Sequence, residues 1–263
     1  FFKPRQEEHE LIEAKNDHLG ERVQDNEEEL QRLVSLKNEF LRNLNHEMQT
    51  PVTGITSMGQ ALYDNYDKLT EEQRIEGLKV IAQSSRRFES YTNSILDLSK
   101  LTSLNPELKK TTFDISELLF NRLESCIKIY LDGKHLEFET NIEPHIMFNC
   151  DKHYMQLVFD NLIINAISYS NEGKISIKLS KNDNGIEFEI KDEGIGIDKK
   201  DLFDIFEAFT VSSKTRSTAH GRGVGLAICK KSIEIHGGKI WAESNGSKGA
   251  VFKFEIGWQH HKA

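Results

Sequence analysis

Cysteine is scarce in this chain: Cys126, Cys150 and Cys229 are odd in number and widely spaced. That excludes a disulfide framework or a thiolate metal cluster and suits a reducing compartment. No apolar run approaches the roughly 18 residues that a membrane span needs. Positive charge is in deficit, with 34 Lys and Arg against 42 Asp and Glu for a net charge of -8. Such a balance argues against a general nucleic-acid binder, whose affinity comes from neutralising phosphates. Repeats, low-complexity tracts and a signal peptide are also missing, and the chain opens on Phe1 rather than Met. The expectation is a cytoplasmic fragment, preceded by a membrane or sensor region absent from these 263 residues.

Proline is missing from Glu7 to Leu44, a stretch dense in Glu, Gln, Lys and Arg. Ile12, Leu19, Leu33 and Phe40 fall on heptad position d, and Val23, Leu30 and Leu44 on position a. Asn16, Asn26 and Lys37 interrupt that seam, which favours register choice or switching over maximal stability. Leu41, Leu44, Met48, Val52, Ile55, Met58 and Leu62 then continue one apolar stripe in steps of three or four. His46 lies two residues from Leu44, about 200° round a helix, so it points away from the stripe. Pro51 should bend the helix locally. Thr70-Glu-Glu-Gln73 reads as the capping box of a second helix, running from Glu71 to about Leu101. Two antiparallel helices with one stripe each bury both only by pairing with a second copy, which predicts a homodimeric four-helix bundle.

Beyond Asn105-Pro106 the texture becomes α/β. Strands are predicted at Glu137–Thr140, Lys174–Ser180, Gly185–Lys191, Lys239–Glu243 and Ala250–Ile256, and helices at Ser116–Tyr130, Lys152–Tyr169 and Gly223–His236. With the helices on one face, these elements make a two-layer sandwich. Asn161 and Asn165 are four apart on the middle helix and share a face. Their amide oxygens suit Mg²⁺, a hard cation, although taken alone the pair is more simply polar surface. Asp192-Glu-Gly194-Ile-Gly196-Ile197 ends a strand. A carboxylate there accepts from an exocyclic amine such as that of adenine, and glycine permits close approach. An ordinary strand-to-helix turn has the same spacing. Gly221-Arg222-Gly223-Val224-Gly225-Leu226 precedes a helix, whose N-terminus and loop amides suit phosphates. It does not follow a strand, so a dinucleotide fingerprint is discarded. Phe203, Phe206 and Phe209 are expected to pack as core. The polar loop Thr210–His220 reads as a lid, with Lys214 or Arg216 meeting a terminal phosphate.

Taken together, His46-Glu-Met-Gln-Thr-Pro51, Asp160–Ser170, Asp192–Ile197, Phe203–Phe209 and Gly221–Leu226 resemble, in order, the H, N, G1, F and G2 boxes of the sensor histidine kinases of two-component signalling. The resemblance covers nearly the whole chain. It implies an α+β multidomain protein: a coiled-coil signalling helix (1–38), a dimerisation and phosphoacceptor domain (39–104), a linker (105–110), an ATP-binding domain of the Bergerat type (111–258) and a tail (259–263). It further implies Asn165 as principal Mg²⁺ ligand with Asn161 assisting, Asp192 on adenine, and Tyr169 lining the nucleotide site. His46 would take phosphate from Mg-ATP and pass it to an aspartate of a response regulator receiver domain. Glu47 is the obvious group to accept the Nδ1 proton of His46. The resemblance gives Glu47 and Thr50 a second role, positioning water to dephosphorylate the regulator. The family usually has Lys or Arg where this chain has Ser168 and Gln49, so one phosphate-facing cation is either missing or replaced by Arg222. Those departures motivate an alternative, a phosphatase-dominant signalling scaffold with weak kinase activity. The other histidines, His236 among them, read as surface or helix-capping residues.

Overall fold

The computed structural model describes residues 3–103, 106–131, 133–208 and 223–258, with side chains from residue 23 onward except 25, 32, 33, 36, 39, 40 and 43. The chain divides into two compact units, Phe1–His46 and Glu47–Ala263. The first is helical, the N-terminal part of α1 (Lys3–Asn65). Of the expected heptad seam, Val23 and Leu30 are exposed and Leu44 is half-buried. The d positions Ile12, Leu19, Leu33 and Phe40 lie outside the described side chains.

In the second unit α1 runs on through Pro51, which is buried, to Asn65. A 3-10 turn (Tyr66–Lys68) leads to α2 (Glu71–Leu101). The predicted capping box is present: Thr70 Oγ1 accepts from Gln73 N, and Gln73 Oε1 accepts from Thr70 N. The two helices approach closely where side chains are missing. A Cβ on Gly54 would lie 2.7 Å from Ser84 Oγ, and one on Gly77 would lie 2.9 Å from Leu62. Ile75, Leu78 and Leu96 remain exposed on this single chain.

The sandwich holds a five-stranded sheet in the order β2 (His135–Ile142), β4 (Glu172–Lys181), β5 (Gly185–Lys191), β7 (Val251–Gly257), β6 (Lys239–Glu243). Only β2 and β4 pair in parallel, and a parallel pair needs a long crossover. That crossover contains β3 (Met147–Asp151) and α4 (Lys152–Tyr169). Along most of β4, β5 and β7 side chains alternate. Ile175, Ile177, Leu179, Phe188 and Phe254 point inward and are buried, while Lys178, Glu189 and Lys253 face out in an ion-paired ladder. Helices α3 (Ile115–Tyr130), α4 and α5 (Gly225–Ile235) cover the inner face. Phe159 of α4 meets the stacked rings of Phe188 and Phe254, and each such ring contributes roughly 1.5–3 kcal/mol by burial.

Strands β1 (Lys110–Asp114) and β3 form a separate antiparallel pair that the residue pattern did not predict. Both mix polar and apolar residues without a clear period of two, Lys-Thr-Thr-Phe-Asp and Met-Phe-Asn-Cys-Asp. Their last residues, Asp114 and Asp151, instead cap α3 and α4. At the other end of α2, Leu98 and Leu101 pack with Tyr154, Val224, Ala227 and Ile228, and His153 Nε2 lies 3.2 Å from Asp97 Oδ1.

Candidate functional site

Helix α4 has two faces. Met155, Val158, Phe159, Leu162, Ile163, Ala166 and Ile167 are buried in the core, whereas Asn161, Ile164, Asn165, Ser168 and Tyr169 are half-buried on the opposite side. At one end of that polar face, Asn161 Nδ2 donates to Leu157 O at 2.7 Å. Its Oδ1 therefore points to Gly225, the first residue of α5, so closely that a Cβ there would collide with it. Val224 caps α5 without a side-chain hydrogen bond, and Gly223 adopts φ 61°, in the left-handed region. Among the described residues, no side chain caps the first amides of α5, which lie beside the amide oxygen of Asn161. Leu226, the next residue, is half-buried against the core. Of the remaining predicted residues, Lys214, Arg216, Gly221 and Arg222 lie outside the described residues, as does Phe209.

At the far end of the same face, Tyr169 O accepts from Ile195 N at 3.2 Å, and a Cβ on Gly194 would overlap that carbonyl. Gly194 is therefore a necessity of packing. The turn Asp192–Ile197 is in turn stitched to the β6–β7 hairpin. Ser244 Oγ accepts from Ile197 N at 3.0 Å and donates to Gly249 O at 2.7 Å, while Gly249 N donates to Gly194 O at 2.8 Å. Gly196 (φ 69°) sits beside Gly249 O. Asp192 is buried, and Oδ1 accepts from both Gly194 N (2.9 Å) and Ala250 N (3.3 Å). Burial pushes its carboxyl above the usual range despite those two donors. Neither donor engages Oδ2, which keeps an acceptor for a ligand amine.

Sequence reasoning missed Ser244, Gly249 and Ala250. Ser244-Asn-Gly-Ser-Lys-Gly249 reads only as hairpin-turn chemistry, which it also is, since Asn245 Oδ1 accepts from Ser247 N and Lys248 N. Nothing in its spacing points to the distant Asp192 turn. One expectation needs correction. Phe206 is core, edge-on to Phe252, but Phe203 is 87% exposed because the segment from Asp198 forms successive tight turns that bury only one side. His236 is the C-cap of α5, one of the two places expected for it, and it is buried there: Nδ1 contacts Ser232 O at 2.6 Å and Nε2 accepts from Asp151 N at 2.9 Å. Two opposed backbone partners fix a neutral ring, and burial lowers its pKa. Asp160, next to Asn161, is held by Arg122 of α3 through a two-point ion pair of 2.6 and 2.8 Å. His46 and Thr50 are exposed, and Glu47 is half-buried.

A two-layer sandwich whose central helix touches two glycine-rich turns, set beside a helical hairpin, defines a class of nucleotide-handling signalling proteins. Residues 150–259 match the family described as "Histidine kinase-, DNA gyrase B-, and HSP90-like ATPase", and residues 36–104 match the "His Kinase A (phospho-acceptor) domain". The sensor protein KdpD of Clostridium acetobutylicum is 32% identical over 84% of this chain, and the sensor histidine kinase WalK of Bacillus subtilis is 30% identical over 89%. The chain spans 25% of the length of the former and 39% of the latter. Full-length ShkA, solved in complex with AMPPNP, is 27% identical, with a TM-score of 0.60 over 82% of this chain and 45% of that one. The chain belongs to the sensor histidine kinase family, and its fold is a helical hairpin followed by a Bergerat-type ATPase sandwich. Among the described residues, no helix is long and apolar enough to cross a membrane.

Proposed function

We propose that this chain is the catalytic core of a homodimeric ATP-dependent protein-histidine kinase that phosphorylates His46 and then an aspartate of a response regulator receiver domain. The observation that carries the reading is the reach of α4. From Asn161 to Tyr169 the helix rises about 12 Å, comparable to the span from a purine base to its triphosphate. The Tyr169 end meets the Asp192 turn, which suits an adenine amine, and the Asn161 end meets uncapped amides at Gly225, which suit phosphates. The AMPPNP bound by ShkA, a relative of this fold, supports the same ligand class. Lys214, Arg216 and Arg222 are proposed to add positive charge at the phosphate end. The amide oxygens of Asn165 and Asn161 fit a hard divalent cation; Mg²⁺ held there would offset charge on the phosphates.

The chemistry needs an unprotonated imidazole nitrogen. His46 Nε2 attacks the γ-phosphorus, an N–P bond forms, and the bond to the β–γ bridging oxygen breaks with ADP as leaving group. Glu47 accepts the proton of Nδ1. Exposed Ile75, Leu78 and Leu96 support a second copy of the hairpin as cover, giving the four-helix bundle. A second reading, a phosphatase-dominant scaffold using Glu47 and Thr50, is favoured by Ser168 and Gln49. Incubation with phosphorylated regulator separates the two, since a scaffold of that kind must accelerate dephosphorylation. For the kinase reading, γ-labelled ATP should leave an acid-labile, base-stable label on the wild type and none on His46→Gln. A label retained by that variant assigns the wrong acceptor.

A further inference from the structure

The C-terminus of α4 is capped in an unusual way. No basic residue lies in its last turn, and its C-cap, Ser170, is extended rather than left-handed, so neither common solution for the last carbonyls applies. A side chain from far upstream takes their place. Lys134 Nζ donates to Ile167 O at 2.6 Å, Ser168 O at 3.1 Å and Ser170 O at 3.0 Å, which engages all three ammonium protons. Two features deliver it there: the Lys134 N to Leu131 O turn after α3, and the parallel register that pairs His135 with Glu172 just beyond α4. Burial lowers its pKa, and among the described residues no carboxylate pairs with it. The three carbonyls and the negative end of the helix are what hold the charge.

We propose that Lys134 is a positioning residue for the nucleotide site, holding the last turn of α4 in register with the Asp192–Ile197 turn. The turn it clamps carries Tyr169, whose carbonyl is the acceptor for Ile195 N and the surface against which Gly194 packs. Asp192 takes its own hydrogen bond from Gly194, so a shift of the helix end passes through two contacts to the carboxylate proposed to read the base. Lys134 touches no ligand in this arrangement. It acts through Tyr169 and Gly194, and it should govern the base end of the pocket more than the phosphate end.

The inference rests on the proposed nucleotide site, and its test keeps the two apart. In the full chain, Lys134→Met should weaken MgATP about tenfold by calorimetry. It should also shrink the preference for ATP over inosine triphosphate, which lacks the amine. Lys134→Arg should restore part of both. Hydrogen exchange should accelerate at the Ile195 amide while Ile186–Ile190 in β5 stay protected, a pattern that global destabilisation does not produce. Wild-type affinity, preference and Ile195 protection in Lys134→Met overturn the inference. If that variant does not fold, Lys134→Gln is judged by the same criteria. A wild type that fails to bind MgATP overturns the nucleotide reading instead, while the Ile195 exchange result still decides the clamp.

Discussion

Asp192→Asn should invert the base preference of the nucleotide pocket rather than merely weaken it. Both backbone donors, Gly194 N at 2.9 Å and Ala250 N at 3.3 Å, converge on one carboxylate oxygen. An isosteric amide must keep its oxygen on those donors, because turning the NH₂ toward them would set donors against donors and leave two amides unsatisfied. The NH₂ then takes the place of Oδ2 and meets the adenine amine, again donor against donor. Losing a hydrogen bond to a charged acceptor costs roughly 1.5–3 kcal/mol, so affinity for ATP should fall by about 10- to 150-fold. Inosine triphosphate presents a carbonyl at the same position and should bind the variant better than it binds the wild type. Stability should hold or rise slightly. Burial already disfavours the charged carboxyl in the fold, so its ionisation works against folding above the ordinary aspartate range, and the amide removes that term. Calorimetry with both nucleotides, alongside thermal melts, tests this. Equal losses for ATP and inosine triphosphate would refute the assignment of Asp192 to the base.

Gly194→Ala drives a Cβ into Tyr169 O, which is backbone and cannot rotate away, so the fold should lose roughly 1–3 kcal/mol in chemical denaturation along with ATP binding. Gly225→Ala meets the Asn161 side chain instead; thermal melting should change little, while autophosphorylation falls about tenfold. His236 titrates below its ordinary range in the fold, so the unfolded chain takes up the proton first. Its contribution is therefore intact above about pH 6.5 and erodes as pH falls toward the folded value, and an NMR titration of His236 with a midpoint at or above 6.5 contradicts this. All three cysteines are buried, and burial raises their thiol pKa, to about 12 for Cys126 and Cys150. The folded protein at pH 7.5 should leave a thiol reagent almost unconsumed and react stoichiometrically once unfolded. A cysteine placed at Val23 or Leu30 can consequently report the proposed dimer seam, by crosslinking between copies without background.

The strongly patterned elements were legible and the weakly patterned ones were not. Thr70-Glu-Glu-Gln73 marked the start of α2 because a capping box is a local device, complete within four residues. Gly185–Lys191 was legible because alternation survives over its seven residues, and Lys239–Glu243 because an apolar run, Ile240-Trp241-Ala242, follows the Gly237-Gly238 turn. Strands β1 and β3 escaped because each is half polar without a clear period, and each pairs with a segment far away in the chain. Phe203 and Phe206 look alike in sequence, and only the tight turns after Asp198 send one inward and the other to solvent. The helix-capping place of His236 was legible from the Gly237-Gly238 that follows it, whereas its burial depends on the Asp151 amide arriving from 85 residues away.

The same contrast explains why Asn161 and Asn165 were ambiguous. A polar face opposite a buried stripe is what any amphipathic helix shows, whether that face meets water or a ligand. Spacing on α4 alone does not favour a site, since either reading puts the asparagines where the core is not and polar surface is the simpler one. What separates them is the opposing surface. Ordinary solvent-facing residues do not need a glycine held so close that a methyl group would collide, yet Asn161 has Gly225 and the carbonyl of Tyr169 has Gly194. Two such approaches at opposite ends of one polar face mean that backbone has been brought there at the cost of side-chain packing. Backbone held that close has little use in a merely solvated surface and an obvious one beside an anion or a base edge. The glycines, more than the asparagines, are therefore what support reading this face as a site.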